Sequence, residues 1–387
     1  MKRRRFLTAV CCGGLATLAS PAITLAQVRQ RGRLVFVLLR GGFDGLAAVV
    51  PHGDPSYRAL RGAFAFEDAD LFVLNDLFGL APGLAPLASF WQAGDLAVVH
   101  AVAIPYRTRS HFDGQAVLET GLDRPVGAAD GWLNRLLQVM QGQRAGIAIA
   151  AGMPRSMTGP YEVLTWSPAQ LGIVDDAFLE RLAALYRADR LLHGRFEAAL
   201  QQQALLGEEP IAGGGARRGG IVPQMQAAAR ILRQEHAPNI AALEFSGWDT
   251  HANQGLAGGA LDRLLGQLAA GLVAFRADMG AAWNDTTVVV MTEFGRTARP
   301  NGTRGTDHGT AGAAFVLGGR VARSAVVVDW PGLADAALFE ARDLRPTLDT
   351  RAVLRAAIAG TFDLAAAQLD RVLPGAAPAR ALASLMR

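Results

Sequence analysis

Six short, predominantly apolar runs constrain this chain most: residues 34–39, 96–102, 146–150, 240–245, 287–291 and 313–317. They are rich in Val, Ala, Ile and Leu and lack the polar alternation of a strand with one wet face. Such runs belong in a sheet covered on both faces. Helical patterns lie between them at 81–93, 112–119, 132–141, 175–206, 224–235, 258–280 and 350–359. Alternation of this kind predicts an α/β fold, a three-layer sandwich around a mostly parallel central sheet. With 51% hydrophobic residues, one large core is affordable, so residues 27–387 read as a single domain carrying a helical insert at about 175–235.

Residues 1–26 carry a basic start (Lys2, Arg3, Arg4, Arg5), an apolar stretch and a small-residue exit ending at Ala26, the pattern of a secretory signal. Arg3-Arg4-Arg5-Phe6-Leu7 fits the twin-arginine route; an ordinary signal with a basic start is the alternative. The expected location is periplasmic or extracellular, without a stable membrane anchor. Both cysteines, Cys11 and Cys12, lie inside this segment, so the processed chain has no disulfide, thiol nucleophile, iron–sulfur cluster or cysteine zinc site. Lys2 is the only lysine, and its loss excludes a Walker loop and a pyridoxal Schiff base. The chain has 38 Lys+Arg against 34 Asp+Glu, and four of the basic residues are Lys2 to Arg5, so the processed protein is formally neutral. Nothing in that balance favours nucleic acid or an anionic membrane as partner.

Ligands of open α/β sheets sit beyond the carboxyl ends of the strands, and the chemistry-bearing residues cluster there. Asp44 follows the first run inside Gly41-Gly42-Phe43-Asp44-Gly45, as a ligand or as the cap of the next helix. Asp249 and His251 follow the fourth run; two residues apart on an extended chain, they face the same way and can share one ion, or form a loop pair. Glu293 follows the fifth, with Arg296 three residues on; burial requires a cation, or an internal ion pair between these two. Asp307 and His308 occupy a glycine-rich run before the sixth, which reads otherwise as a solvent loop. Ser110, with Asp113 three residues later, marks a helix start after the second run. Ser110 is either a capping serine or, beside Arg109 and a metal, an ionisable nucleophile.

The segments GGFDGL (41–46), RSHFDGQ (109–115), GWLNR (131–135), GWDTH (247–251), TEFGRT (292–297) and GTDHGTAG (305–312) resemble the exported bacterial family DUF1501. That family is similar to a distant branch of the alkaline-phosphatase-like superfamily, whose members hold two metals and a serine, threonine or formylglycine nucleophile. The resemblance implies that Asp44 is the first-strand ligand, Ser110 the nucleophile, Asp249 and His251 the next ligands, Glu293 the counterpart of an aspartate, and His308 the final histidine. A rival alignment makes Asp307-His308 the aspartate–histidine pair. The chain departs from the pattern where Phe294 stands in place of a histidine, with His111 or Asp307 available to replace it. The sulfatase signature is absent.

Together these imply a metal-dependent hydrolase of phosphate-type esters. Asp249, His251 and His308 would hold one ion, Asp44 and Glu293 a second, and Arg109 or Arg296 would clamp the substrate anion. Carboxylate and imidazole ligands suit zinc or manganese, with calcium or magnesium as alternatives. The substrate would be a small-molecule or glycan phosphoester. The other reading is a noncatalytic cell-envelope protein that kept the fold and binds a glycan or a co-exported partner.

Overall fold

The computed structural model describes residues 32–140, 145–150, 152–166, 176–187, 189, 192–194, 196–197, 220–234 and 237–387; the expected signal segment and much of the expected 175–235 insert lie outside them. The strands are β1 Arg33–Arg40, β2 Val49–Val50, β3 Phe72–Val73, β4 Gly79–Leu80, β5 Leu96–Ala103, β6 Gly146–Ile149, β7 Val163–Trp166, β8 Ile240–Ser246, β9 Thr286–Met291, β10 Gly312–Leu317, β11 Ala325–Val327 and β12 Leu348–Asp349. Nine of them form one sheet in the order β11-β5-β10-β9-β1-β8-β6-β7, with β12 beside β5; β2, β4 and β3 form a small antiparallel sheet. All six apolar runs are strands of the large sheet.

β1 shows why the runs lack polar alternation. Val35, Val37 and Leu39 point into one core and Leu34, Phe36 and Leu38 into another, as the two-residue period of a strand requires. Helices Ile221–Leu232 and Ala260–Met279 close the first core. Trp132–Val139, Thr350–Phe362 and Ala366–Val372 close the second, which makes three layers. Ile221–Leu232 falls within the span expected to be an insert, yet Met225, Ala228 and Leu232 are part of the main core. Residues 81–93 are not one helix: Pro82 and Pro86 tighten Pro82–Leu87 into a 3₁₀ segment, and only Ala88–Ala93 is α-helical. Among the described residues no helix is long and apolar enough to cross a membrane.

Strand direction decides where the polar segments meet. β1 runs parallel to β8 and β9, while β10 runs antiparallel to both β9 and β5. The chain therefore leaves β1, β5, β8 and β9 at the same end of the sheet. It enters β10 at that end too, so the residues before β10 join those that follow the other four strands.

Candidate metal centre

The segment leaving β9 and the segment entering β10 zip together across that end. Gly309 N–H donates to the Gly295 carbonyl at 2.8 Å, and Thr297 N–H to the Asp307 carbonyl at 2.9 Å. The loop after β8 is stitched to the same hairpin: Thr306 N–H donates to Thr250 O, and Asn301 Nδ2 to His251 O at 2.9 Å. Gly305 makes this approach feasible, since a Cβ there would lie 2.3 Å from the His251 carbonyl carbon. Gly41, at φ +126°, plays the same part for Asp249, whose amide nitrogen would be 2.5 Å from a Cβ.

Three imidazoles converge as a result. His308 Nε2 lies 2.9 Å from His111 Nε2 and 2.9 Å from His251 Nε2. Asp249 completes the group, with Oδ1 3.0 Å from His251 Nε2 and 3.3 Å from His308 Nε2, and Oδ2 3.5 Å from His111 Nε2. Ligand atoms around a tetrahedral zinc with bonds of about 2.0–2.1 Å are about 3.3 Å apart; those of His111, Asp249 and His308 all lie within 4.8 Å of one another, and His251 adjoins them through His308 and Asp249. The four side chains are between 24% and 44% exposed, so the centre is open to a small molecule.

The outer nitrogen of each ring is already committed to an acceptor. His111 Nδ1 faces Glu293 Oε1 at 2.7 Å, His308 Nδ1 the Arg109 carbonyl at 3.0 Å, and His251 Nδ1 Asp307 Oδ1 at 3.3 Å. Acceptors at Nδ1 fix the Nδ1–H tautomer and leave a lone pair on Nε2, the arrangement that orients metal-binding histidines. Three lone pairs then face one another and a carboxylate, which is repulsive unless a cation or a proton lies between them. The hydrogen bond that His111 donates to Glu293 raises the His111 pKa above the ordinary imidazole value. Burial, and then the neighbouring His111, lower that of His308.

The supporting groups are themselves held. Glu293 is fully buried; Oε1 also accepts from Gly41 N–H at 2.9 Å and Gln115 Nε2 at 3.0 Å, and Oε2 from the Thr292 hydroxyl at 2.9 Å. Burial alone would raise this carboxyl, but the His111 and Gln115 bonds outweigh it and hold it below the usual range. Arg296, 1% exposed, donates to Asp249 Oδ1 and to the Thr306 carbonyl. Asn301 Nδ2 lies 2.9 Å from Asp307 Oδ1 and lowers its pKa. The Phe294 ring packs 4.8 Å from His111 and 5.1 Å from His308, buttressing both imidazoles.

A family model described as "Protein of unknown function (DUF1501)" matches residues 93–373, well over half of the chain. The chain belongs to the DUF1501 family. No curated protein matches it. Among solved structures it is similar to the C-terminal periplasmic domain of EptC from Escherichia coli in complex with Zn: 11% identity, 74% of this chain, 72% of that chain, TM-score 0.35. It is also similar to phosphonoacetate hydrolase from Sinorhizobium meliloti 1021, at 15% identity over 69% of this chain and 57% of that chain, TM-score 0.32. A third is alkaline phosphatase from the Antarctic bacterium TAB5: 10% identity, 74% and 91% coverage, TM-score 0.34.

In this DUF1501 chain Asp44 stands apart from the imidazole cluster, and several other expected site residues support it rather than face an ion or substrate. Asp44 is completely buried; Oδ2 accepts from Arg61 Nη2 at 2.7 Å and from Gln254 Nε2 at 2.8 Å, while Oδ1 caps the following helix at Ala47 N–H. Arg61, also completely buried, is thus the counter-charge of Asp44. Glu293, expected to share a second ion with Asp44, has both oxygens filled by protein donors. Glu293 and Arg296 do not pair; each serves a different ligand. Ser110 caps helix His111–Thr120, accepting from Asp113 N–H at 3.4 Å. Arg109 is tied to Asp343 and Glu340, so neither expected substrate clamp is free. Sequence reasoning missed Arg61, Gln254 and Asn301, which lie outside the quoted motif segments and owe their places to chain packing, and gave no role to Gln115 at the end of RSHFDGQ.

Proposed function

We propose that this protein is an exported hydrolase of phosphate-type esters that works with one divalent cation held by His111, His251, His308 and Asp249. The reading rests on a single observation: three imidazoles whose Nδ1 atoms are all committed to acceptors turn their Nε2 lone pairs on one another beside a carboxylate. An imidazole-rich set with one carboxylate suits zinc or manganese; calcium and magnesium prefer oxygen ligands. A dication there would supply Lewis-acid charge to a phosphoryl oxygen and lower the pKa of a nearby hydroxyl. Arg61 on Asp44 supports a mononuclear centre, because it already neutralises the carboxylate that would have held a second ion.

Ser110 is the nucleophile in this reading. It immediately precedes His111 and sits at the positive end of the helix dipole. Its hydroxyl accepts one long cap bond, and among the described residues it has no imidazole or carboxylate partner to act as base. Ionisation therefore depends on the cation. Its Oγ bonds to phosphorus as the bond to the leaving oxygen breaks, and water later releases the phosphoryl group. The substrate is a small-molecule or glycan phosphoester reached from the open face of the cluster.

Metal analysis of protein purified from the periplasm, with hydrolysis of an aryl phosphate, tests this. One equivalent of zinc or manganese is expected, retained in Ser110→Ala without turnover and lost in His308→Ala. Wild type that takes up neither metal would sink the proposal. Bound metal without turnover of phosphate, phosphonate or sulfate esters would favour the noncatalytic envelope-binding reading.

A further inference from the structure

Arg109 adopts φ +62°, a left-handed conformation that a residue with a side chain rarely takes. Its carbonyl is the acceptor that holds His308 Nδ1 at 3.0 Å, so this unfavourable backbone bears directly on one ligand. Its side chain is spent elsewhere. Arg109 Nε donates to Asp343 Oδ2 at 2.8 Å and Nη2 to Glu340 Oε2 at 2.5 Å.

The segment that receives it is a built unit. Phe339 and Asp343 exchange backbone hydrogen bonds at 2.8 and 3.0 Å, closing a turn in which Glu340 and Ala341 are also left-handed, at φ +54° and +52°. The Asp343 carboxylate is buried. Its second oxygen takes Arg342 Nη1 at 3.0 Å, and the same Nη1 donates to the His308 carbonyl at 2.9 Å. Residues 339–343 therefore grip Arg109 through its side chain and His308 through its backbone. Locally strained backbone persists where surrounding contacts over-determine it, and here those contacts are the two ion pairs.

We propose that Arg109 is a positioning residue for the metal centre: its ion pairs to Glu340 and Asp343 lock its backbone left-handed, so that its carbonyl selects the Nδ1–H tautomer of His308 and frees Nε2 for a cation. This rests on the metal-centre reading and replaces the role of substrate clamp. Without the carbonyl in place, His308 can carry its proton on Nε2, the form that cannot ligate.

Two readouts test it. Zinc affinity by chelator competition should fall about tenfold or more in Arg109→Ala, the range for loss of a group that orients a ligand. In metal-free protein, ¹⁵N imidazole spectra should show His308 as Nδ1–H in wild type and shifted toward Nε2–H in Arg109→Ala. Arg109→Gly, which takes positive φ without strain, should keep more of both than Arg109→Ala. Wild-type affinity and tautomer in Arg109→Ala would overturn the proposal, as would equal losses in the alanine and glycine variants. Weaker inhibition by inorganic phosphate with unchanged zinc affinity would restore the clamp role. Should wild type bind no zinc, the metal reading fails, and the tautomer comparison still decides the role of Arg109.

Discussion

Replacing Glu293 by glutamine isolates the charge behind His111 from the shape of the site. The amide oxygen can keep the three donors now on Oε1: His111 Nδ1 at 2.7 Å, Gly41 N–H at 2.9 Å and Gln115 Nε2 at 3.0 Å. The amide nitrogen would then sit where Oε2 meets Thr292 Oγ1. That hydroxyl can turn its proton to the Leu39 carbonyl, 2.7 Å away, and accept from the amide. Packing and hydrogen bonds therefore survive, and one negative charge is lost about 6–7 Å from a bound dication. At an effective dielectric of about 20 the gross Coulomb loss is bounded near 5 kcal/mol. Orienting partners of this kind are worth about tenfold to a hundredfold in affinity, or about 1.4–2.7 kcal/mol. Zinc titration against a chromogenic chelator, at a pH where His111 is neutral in both proteins, measures the difference. Wild-type affinity in a folded Glu293→Gln protein would refute the idea that this carboxylate acts on the metal through His111.

Three further outcomes follow from particular contacts. His100 is fully buried between Val49 O and Ala101 N–H, and burial lowers its pKa to about 4. Unfolding free energy should therefore fall by about 3 kcal/mol as pH drops from about 6.5 toward 4, where only the unfolded chain takes up the proton; urea melts that show no such slope, or the same slope in His100→Gln, would contradict this. Arg61→Met leaves Asp44 charged and buried, costing about 3–5 kcal/mol in urea unfolding, with much of the loss recovered by adding Asp44→Asn; a neutral single variant would mean the pair is not a closed ion pair. Gly305→Ala forces a methyl against the His251 backbone and should weaken zinc binding more than it lowers the melting temperature, readable by calorimetry with and without metal.

The large sheet was legible because burial on both faces leaves an apolar run without polar alternation, and β1, β5, β6, β8, β9 and β10 each carry one, His100 in β5 and Glu244 in β8 being single exceptions. Edge strands escape that logic: Val163–Trp166 is only partly buried or exposed along its length and reads as loop. Asp249, His251, Asp307 and His308 could be found because each lies near a strand end, whereas His111 entered only through the family resemblance, as a replacement for the histidine absent at Phe294. Asp44 was read as a metal ligand or a helix cap, and it does cap Gly45–Ala48, but not as half of an ion pair, since Arg61 shares no pattern with it. Likewise nothing in the sequence signals that residues 339–343 reach back to Arg109; that contact exists only once β10 has been laid between β5 and β9.

The guanidinium facing Asp44 is part of the polypeptide. It cannot be diluted away, scavenged by a chelator or exchanged for a competing ion, so this half of the charge balance is complete as soon as the chain folds. Only the histidine cluster would then depend on what metals the surroundings offer, and starvation would silence the protein without unfolding it.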